Sequence, residues 1–293
     1  MTGLTYLAGA DWMPVLENLA HFRPHLAVSA LLIVFIEIAL WRTSAVSLVL
    51  GSLVLVAGFT PALLPARATP VVRADGHEIS VLALNVRFSN PVHAAVIDHI
   101  ARSQPDVVVL SEVTSDWAAA IERLPYPHRF IHPAQDGTGL AILAKHPILT
   151  REVLHPGGFL SPALVAAISL PGKVTVVALH PRSPTSPEWI LERDGYLRAL
   201  GEDLAVRSGH LIVAGDFNTT PWSYAFDLLA APPGLNRSSL IPLGTWPAPY
   251  HRLGVPIDHI LTSNGLGFLQ YDVGPDLGSD HVPVTAVIRV PNQ

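Results

Sequence analysis

Residues 211–223 read LIVAGDFNTTPWS. Four apolar residues suit a buried strand, Gly215 ends it, and Asp216 and Asn218 follow two residues apart in a polar turn closed by Pro221. A carboxylate and an amide therefore stand at a strand end, where layered sheets open into clefts. The pattern recurs along the chain. Asn85 closes VLALN (81–85), Glu112 closes VVVLSE (107–112) and His180 closes VVALH (176–180), while Asp258 and the Asp280-His281 pair lie at the edges of the last two strands.

Working outward, short runs rich in Val, Ile and Leu alternate with helical stretches, which predicts a mixed α/β architecture. Strands are expected at 79–85, 106–111, 139–144, 164–170, 174–179, 210–214, 257–262 and 282–290. The clearest helix is expected over 187–206, with Ser186 as cap, Pro187 in the first turn, and Ile190, Leu197, Leu200 and Leu204 on one face. Shorter helices are expected at 93–102 and 116–124.

The residues gathered at these strand ends form a phosphate-handling set. Oxygens of Asn85 and Glu112 are hard ligands suited to Mg²⁺ or Mn²⁺. Asp216 and Asn218 can position a water for in-line displacement. His281, with Asp258 to orient it, has the base-plus-carboxylate arrangement that activates water. His180 precedes Pro181-Arg182, and its imidazole can stabilise developing negative charge. His259 alternates away from Asp258 and reads as a packing residue.

Composition restricts the class further. With no cysteine there is no disulfide, no thiolate nucleophile and no cysteine metal site. From Asp75 onward 14 Lys and Arg stand against 20 Asp and Glu, a net of −6, without a basic run, so an avid duplex-binding footprint is disfavoured. The whole chain, at 293 residues, is 49% hydrophobic and only 14% charged, with a mean hydropathy of +0.39. That apolar excess is concentrated before Pro70.

The excess predicts a lipid-embedded segment. Ser44 to Leu64 would form a helix of about 31 Å, matching the hydrocarbon core, and Leu26 to Trp41 one of about 24 Å carrying Glu37. Arg42 and Thr43 leave room only for a tight turn, so residues 25–64 read as a transmembrane helical hairpin. Residues 1–24 read as an interfacial segment, 65–75 as an extended linker and 76–293 as the catalytic domain. No Lys or Arg precedes Arg23, which argues against a cleaved signal peptide. These features predict a multi-pass protein of the cell membrane. Arg23, Arg67 and Arg73 against Arg42 would favour a cytoplasmic domain by charge alone.

Taken together, LALNV, LSEV, GLAILAK (139–145), ALHP, GDFNTTPWS, IDHIL (257–261) and SDHVPV (279–284) resemble the endonuclease/exonuclease/phosphatase superfamily, in that order, over about residues 78–290. GDFNTTPWS and the apolar leader resemble its membrane-bound bacterial branch. The resemblance implies a four-layer α-β-β-α sandwich of two packed mixed sheets, with the site at one end. It implies metal binding by Asn85 and Glu112, with Asp280 near metal or phosphate, and water orientation or deprotonation by Asp216 and Asn218. Asp258 would hold His281 as base or phosphate clamp, and His180 would stabilise the transition state. Ser111 departs from the family, many members of which place Gln before the metal-binding Glu. Membrane-bound relatives imply an extracytoplasmic domain, the expectation adopted against the charge count.

The activity so implied is divalent-metal-dependent hydrolysis of a phosphate ester, with a phosphodiester expected first and a lipid-linked substrate favoured by the anchor. An anchored nuclease acting on DNA or RNA is the alternative. An inactive binding or scaffolding module on the same fold is a third, disfavoured because every expected polar position is filled.

Overall fold

The computed structural model describes residues 18–39, 49, 51–53, 76–170, 173–238 and 243–291. The chain divides into two compact units, one of Met1–Ala66 with Trp222–Tyr224 and one of Arg67–Pro221 with Ala225–Gln293.

In the first unit, helix α1 (Arg23–Ala39) is 17 residues long, about 25 Å at 1.5 Å per residue. Leu32, Ile33, Phe35 and Ile36 on it are each more than half exposed. Among the described residues no helix is long and apolar enough to cross a membrane. The transmembrane hairpin expected over 25–64 is therefore not found: α1 is too short, and most of Ser44–Leu64 lies outside the described residues. Most of the interfacial segment and the whole linker lie outside them as well.

The second unit is built on two sheets. Its strands are β1 (Gly76–Asn85), β2 (Val107–Ser111), β3 (His128–His132), β4 (Leu140–Ala144), β5 (Ile148–Leu154), β6 (Ala163–Ile168), β7 (Val174–Leu179), β8 (His210–Asp216), β9 (Asp258–Thr262), β10 (Gly267–Val273) and β11 (Val284–Pro291). One sheet has the order β10-β11-β1-β2-β4-β3 and the other β5-β6-β7-β8-β9. Both are mixed: β1 runs parallel to β2 and β7 to β8, while their other neighbours are antiparallel.

Alternation along the strands divides the core into three. Ile79, Val81 and Ala83 of β1, Val174, Val176 and Ala178 of β7, Ile212 and Ala214 of β8 and Ile260 of β9 pack between the sheets. The opposite face of the first sheet carries Leu82, Leu84, Val108 and Leu110 and is covered by α2 (His93–Ser103) and α3 (Ser115–Ile121). The opposite face of the second carries Val177, Leu211 and Val213 and is covered by α4 (Pro187–Ala205) and α5 (Tyr224–Ala230). The result is the α-β-β-α sandwich. The Ser186 hydroxyl accepts the Trp189 N–H and starts α4, and Thr114 caps α3 by accepting from Trp117.

Topology puts the polar strand ends on one rim. Asn85 pairs with Ser111 across parallel β1 and β2, and Leu179 with Gly215 across parallel β7 and β8, so these pairs finish side by side. β9 runs antiparallel to β8, so its first residue, Asp258, lies opposite Asp216. β11 runs antiparallel to β1, with Val284 opposite Ala83, so the segment before it, with Asp280 and His281, reaches the same end.

Candidate active site

The register that fills the inter-sheet core also aims the site. Asn85 continues the inward series 79, 81, 83; His180 continues 174, 176, 178; Asp216 continues 212, 214; and Asp258 precedes Ile260 by two. These side chains therefore face the cleft between the sheets, and His259 faces away. His259 donates from Nε2 to the Thr219 carbonyl at 2.9 Å and packs edge-on against Phe217 and Phe226. Burial lowers its pKa to about 4, so it is a neutral packing residue.

Glu112 breaks the alternation. Ser111 occupies the inward position after Val107 and Val109, and a regular strand would turn Glu112 toward the helices. Its backbone is left-handed instead, with φ 63°, which re-aims the carboxylate into the site. Arg87 (φ 59°) and Asn218 (φ 50°) share that conformation. Each such non-glycine residue stores on the order of 1–3 kcal/mol of strain, retained only where surrounding contacts enforce it.

Those contacts are hydrogen bonds among the site residues. Asn85 Nδ2 donates to Glu112 Oε1 at 2.8 Å and to Asp216 Oδ2 at 3.0 Å. The Asn85 amide oxygen accepts the Arg87 N–H at 2.9 Å, and the Phe88 N–H donates to Glu112 Oε2 at 2.9 Å. Asn85 thus presents nitrogen to both carboxylates and orients them, its oxygen being taken by the main chain. The Asn218 N–H donates to Asp216 Oδ1 at 2.8 Å and its Nδ2 to the Pro181 carbonyl at 3.0 Å, so Asn218 braces the turn.

Both inward histidines face acceptors on both nitrogens. His180 Nδ1 lies 3.0 Å from the Gly137 carbonyl, and Nε2 lies 3.4 Å from Asp216 Oδ2 and 3.8 Å from Glu112 Oε1. His281 Nδ1 lies 2.8 Å from Asp258 Oδ2, and Nε2 lies 3.6 Å from Asp216 Oδ2. A carbonyl or ionised carboxylate only accepts, so His180 faces acceptors on both nitrogens within 3.4 Å, while His281 donates from Nδ1 to Asp258 and meets Asp216 at Nε2 only as a longer charge contact. Burial opposes their charge, but Asp216 and Glu112 raise His180 above the ordinary histidine value, and Asp258 and Asp216 raise His281 to about 10. Burial would likewise raise Asp216, yet His281 and His180 hold it below the usual carboxylate range. Burial pushes the Asp258 carboxyl up, against the opposing pull of His281.

Asp216, Asp258 and His281 offer ligand atoms within 4.8 Å of one another. The imidazole lies between the two carboxylates, one on each nitrogen, so this trio is a relay and not a cage. Glu112 and Asp216 are a second pair of hard carboxylates, joined through the one Asn85 nitrogen that donates to both. Asp280 stands at the rim, its Oδ1 4.0 Å from Arg87 Nε.

The structure thus joins Asn85, Glu112, His180, Asp216, Asn218, Asp258 and His281 in one network, with Asp280 beside it. It adds residues that motif spacing did not single out. The Ser279 hydroxyl donates to the Asn85 carbonyl at 2.7 Å and accepts the His281 N–H at 3.2 Å, and Thr245 Oγ1 accepts the Asp258 N–H at 3.2 Å. Arg193, fully buried on α4, donates to the Asn218 carbonyl at 3.1 Å. Ser279 adjoins Asp280-His281 in sequence. Thr245 and Arg193 carry no local signal.

Solved structures share this fold. A protein described as endonuclease/exonuclease/phosphatase from Beutenbergia cavernae superposes with a TM-score of 0.59 at 22% identity, covering 73% of this chain and 72% of that one. A humanized D. rerio TDP2 gives 0.62 at 17% identity, covering 73% and 99%. A mannosyl-6-phosphatase from Bacteroides thetaiotaomicron gives 0.59 at 17%, covering 72% and 99%. No curated protein sequence matches the chain. The sequence model of the Endonuclease/Exonuclease/phosphatase family matches residues 82–281, from inside β1 to His281, and the chain belongs to that family.

Proposed function

We propose that this chain is a divalent-metal-dependent phosphoesterase that hydrolyses its substrate by in-line attack of water. The observation that carries the reading is the pair Glu112 and Asp216, joined through Asn85 Nδ2 and faced by the imidazoles of His180 and His281. Glu112 would hold Mg²⁺ or Mn²⁺, which when bound supplies Lewis-acid stabilisation of phosphoryl charge. Asp216, kept ionised and braced by the Asn218 N–H, orients the attacking water and is placed to accept its proton. His180, raised above the ordinary histidine value, and His281, raised to about 10, donate to the phosphoryl oxygens as negative charge accumulates. Asp258 keeps the His281 ring oriented and charged. Asp280 lies where it can reach the entering phosphate or its cation.

The reading extends to a membrane setting. The apolar residues before Pro70 would anchor the chain in the cell membrane as a multi-pass segment with the catalytic domain outside the cytoplasm, and the exposed Leu32, Ile33, Phe35 and Ile36 of α1 support burial in lipid. A lipid-linked phosphoester is then the favoured substrate, and the acidic catalytic domain disfavours nucleic acid. Extraction from membranes by alkaline carbonate would contradict anchoring.

The test of activity is turnover by the full-length protein of lipid phosphoesters, sugar phosphates, single-stranded and duplex DNA, p-nitrophenyl phosphate and bis-p-nitrophenyl phosphate, with Mg²⁺ or Mn²⁺ against chelator. Metal-dependent release from at least one class is expected. Failure across all of them with metal present would leave the scaffold alternative in its place.

A further inference from the structure

The loop after β1 presents an arginine whose backbone is fixed and whose head group is not. Arg87 is left-handed at φ 59°, its N–H is bound to Asn85 Oδ1, and its carbonyl accepts the Asn90 N–H at 2.9 Å and Trp117 Nε1 at 3.3 Å. The side chain is half exposed. Its guanidinium meets Ser89 Oγ at 3.1 Å and Asp280 Oδ1 at 4.0 Å, the latter a long, solvent-exposed pairing worth little. A strained main chain thus carries a loosely held cation to the rim. On one side Asn85 and the Phe88 N–H lead to Glu112, and on the other Asp280 leads to His281. Arg182, the arginine next to His180-Pro181, is turned to Glu192 at 3.6 Å and lies over the Trp189 ring.

Resting on the phosphoesterase reading above, we propose that Arg87 exchanges Asp280 for the substrate phosphate and selects a terminal phosphate, a monoester, over a phosphodiester. The Nε2 atoms of His180 and His281, which face the same Asp216 oxygen, would offer one donor to each of the two non-bridging oxygens of a diester. A further guanidinium matches the third oxygen and second negative charge that only the monoester carries, and its fork suits phosphate geometry. Arg87 is then a specificity residue, and the phosphodiester expected from the sequence gives way to a monoester.

The experiment uses the full chain with Mg²⁺, comparing wild type, Arg87→Gln and Arg87→Lys. Binding of inorganic phosphate is measured by calorimetry, and kcat/KM on p-nitrophenyl phosphate and on bis-p-nitrophenyl phosphate. Arg87→Gln is expected to weaken phosphate binding and monoester kcat/KM by about 10- to 100-fold, the range for losing one charge-assisted hydrogen bond, with a much smaller change on the diester. Arg87→Lys should recover part of the loss. Thermal stability should hold, because the contacts that fix residue 87 are main-chain. Unchanged phosphate binding, or equal losses on both esters, overturns the proposal. A wild type that binds phosphate through Arg87 yet hydrolyses neither ester supports Arg87 as the phosphate site and overturns the hydrolytic reading. A wild type that does neither overturns both.

Discussion

His281 is enclosed by carboxylates on both ring nitrogens, and that decides its charge. The sequence pattern pointed to a neutral base oriented by Asp258. The structure places Asp216 on the far side of the ring as well, which turns the group into a cation at neutral pH. Turnover should therefore persist through neutrality and fall on the alkaline side as His281 loses its proton, and His281→Asn should remove that limb. An acidic limb near the ordinary histidine value of about 6.5, abolished by His281→Asn, would restore the base role. Stability is linked with the same sign. The folded pKa of about 10 exceeds the unfolded value, so the contribution of His281 is complete below about 6.5 and is lost as pH rises toward 10. Chemical denaturation of His281→Asn between those limits should show a shallower loss of stability than wild type. Alternation in IDHIL alone separates inward Asp258 from outward His259. Glu112 was legible as a residue type but not in direction, because a left-handed backbone has no signature in a non-glycine residue.

Among elements, the interior strands, the edge strand β9 and three of the four catalytic-domain helices were legible, and α5 was not, nor were strands β3, β5 and β10. All three lie at sheet edges. The central residues of β5 (ILTREVL) are exposed on both faces, β3 is half-buried throughout, and β10 carries a bulge between Phe268 and Gln270. Such strands need no apolar alternation, so the periodicity that reveals interior strands is missing. The join between β7 and β8 gives a sharper test. Gly215 has φ 143°, and a Cβ there would overlap the Leu179 carbonyl oxygen of β7. Gly215→Ala should cost about 2 kcal/mol or more, and should lower activity because Asp216 follows directly. An unchanged urea midpoint would show that the strands can separate at little cost.

At the scale of the whole molecule, function follows from a topology that gathers distant strand ends. Asn85 and His281 are held together by one hydroxyl, Ser279, although the residues it joins lie almost 200 positions apart. The sandwich and most of the site's residue types could be read from ordered motifs. The Asn85 bridge, the Arg193 brace and the charge of the histidines could not, since each depends on partners from separate strands or helices. The apolar excess before Pro70 belongs to the other unit, where α1 exposes its apolar side chains.

The central claim is that Glu112 and Asp216 form a single metal-dependent hydrolytic centre. It is tested most directly by turnover of p-nitrophenyl phosphate and bis-p-nitrophenyl phosphate by the full-length protein, its Glu112→Ala variant and its Asp216→Ala variant, with Mg²⁺ or Mn²⁺ and with chelator. Wild type should require the ion, and each variant should lose on the order of 100-fold or more in kcat while its circular dichroism stays unchanged. Wild-type-like turnover by either folded variant, or undiminished wild-type turnover in chelator, would contradict it.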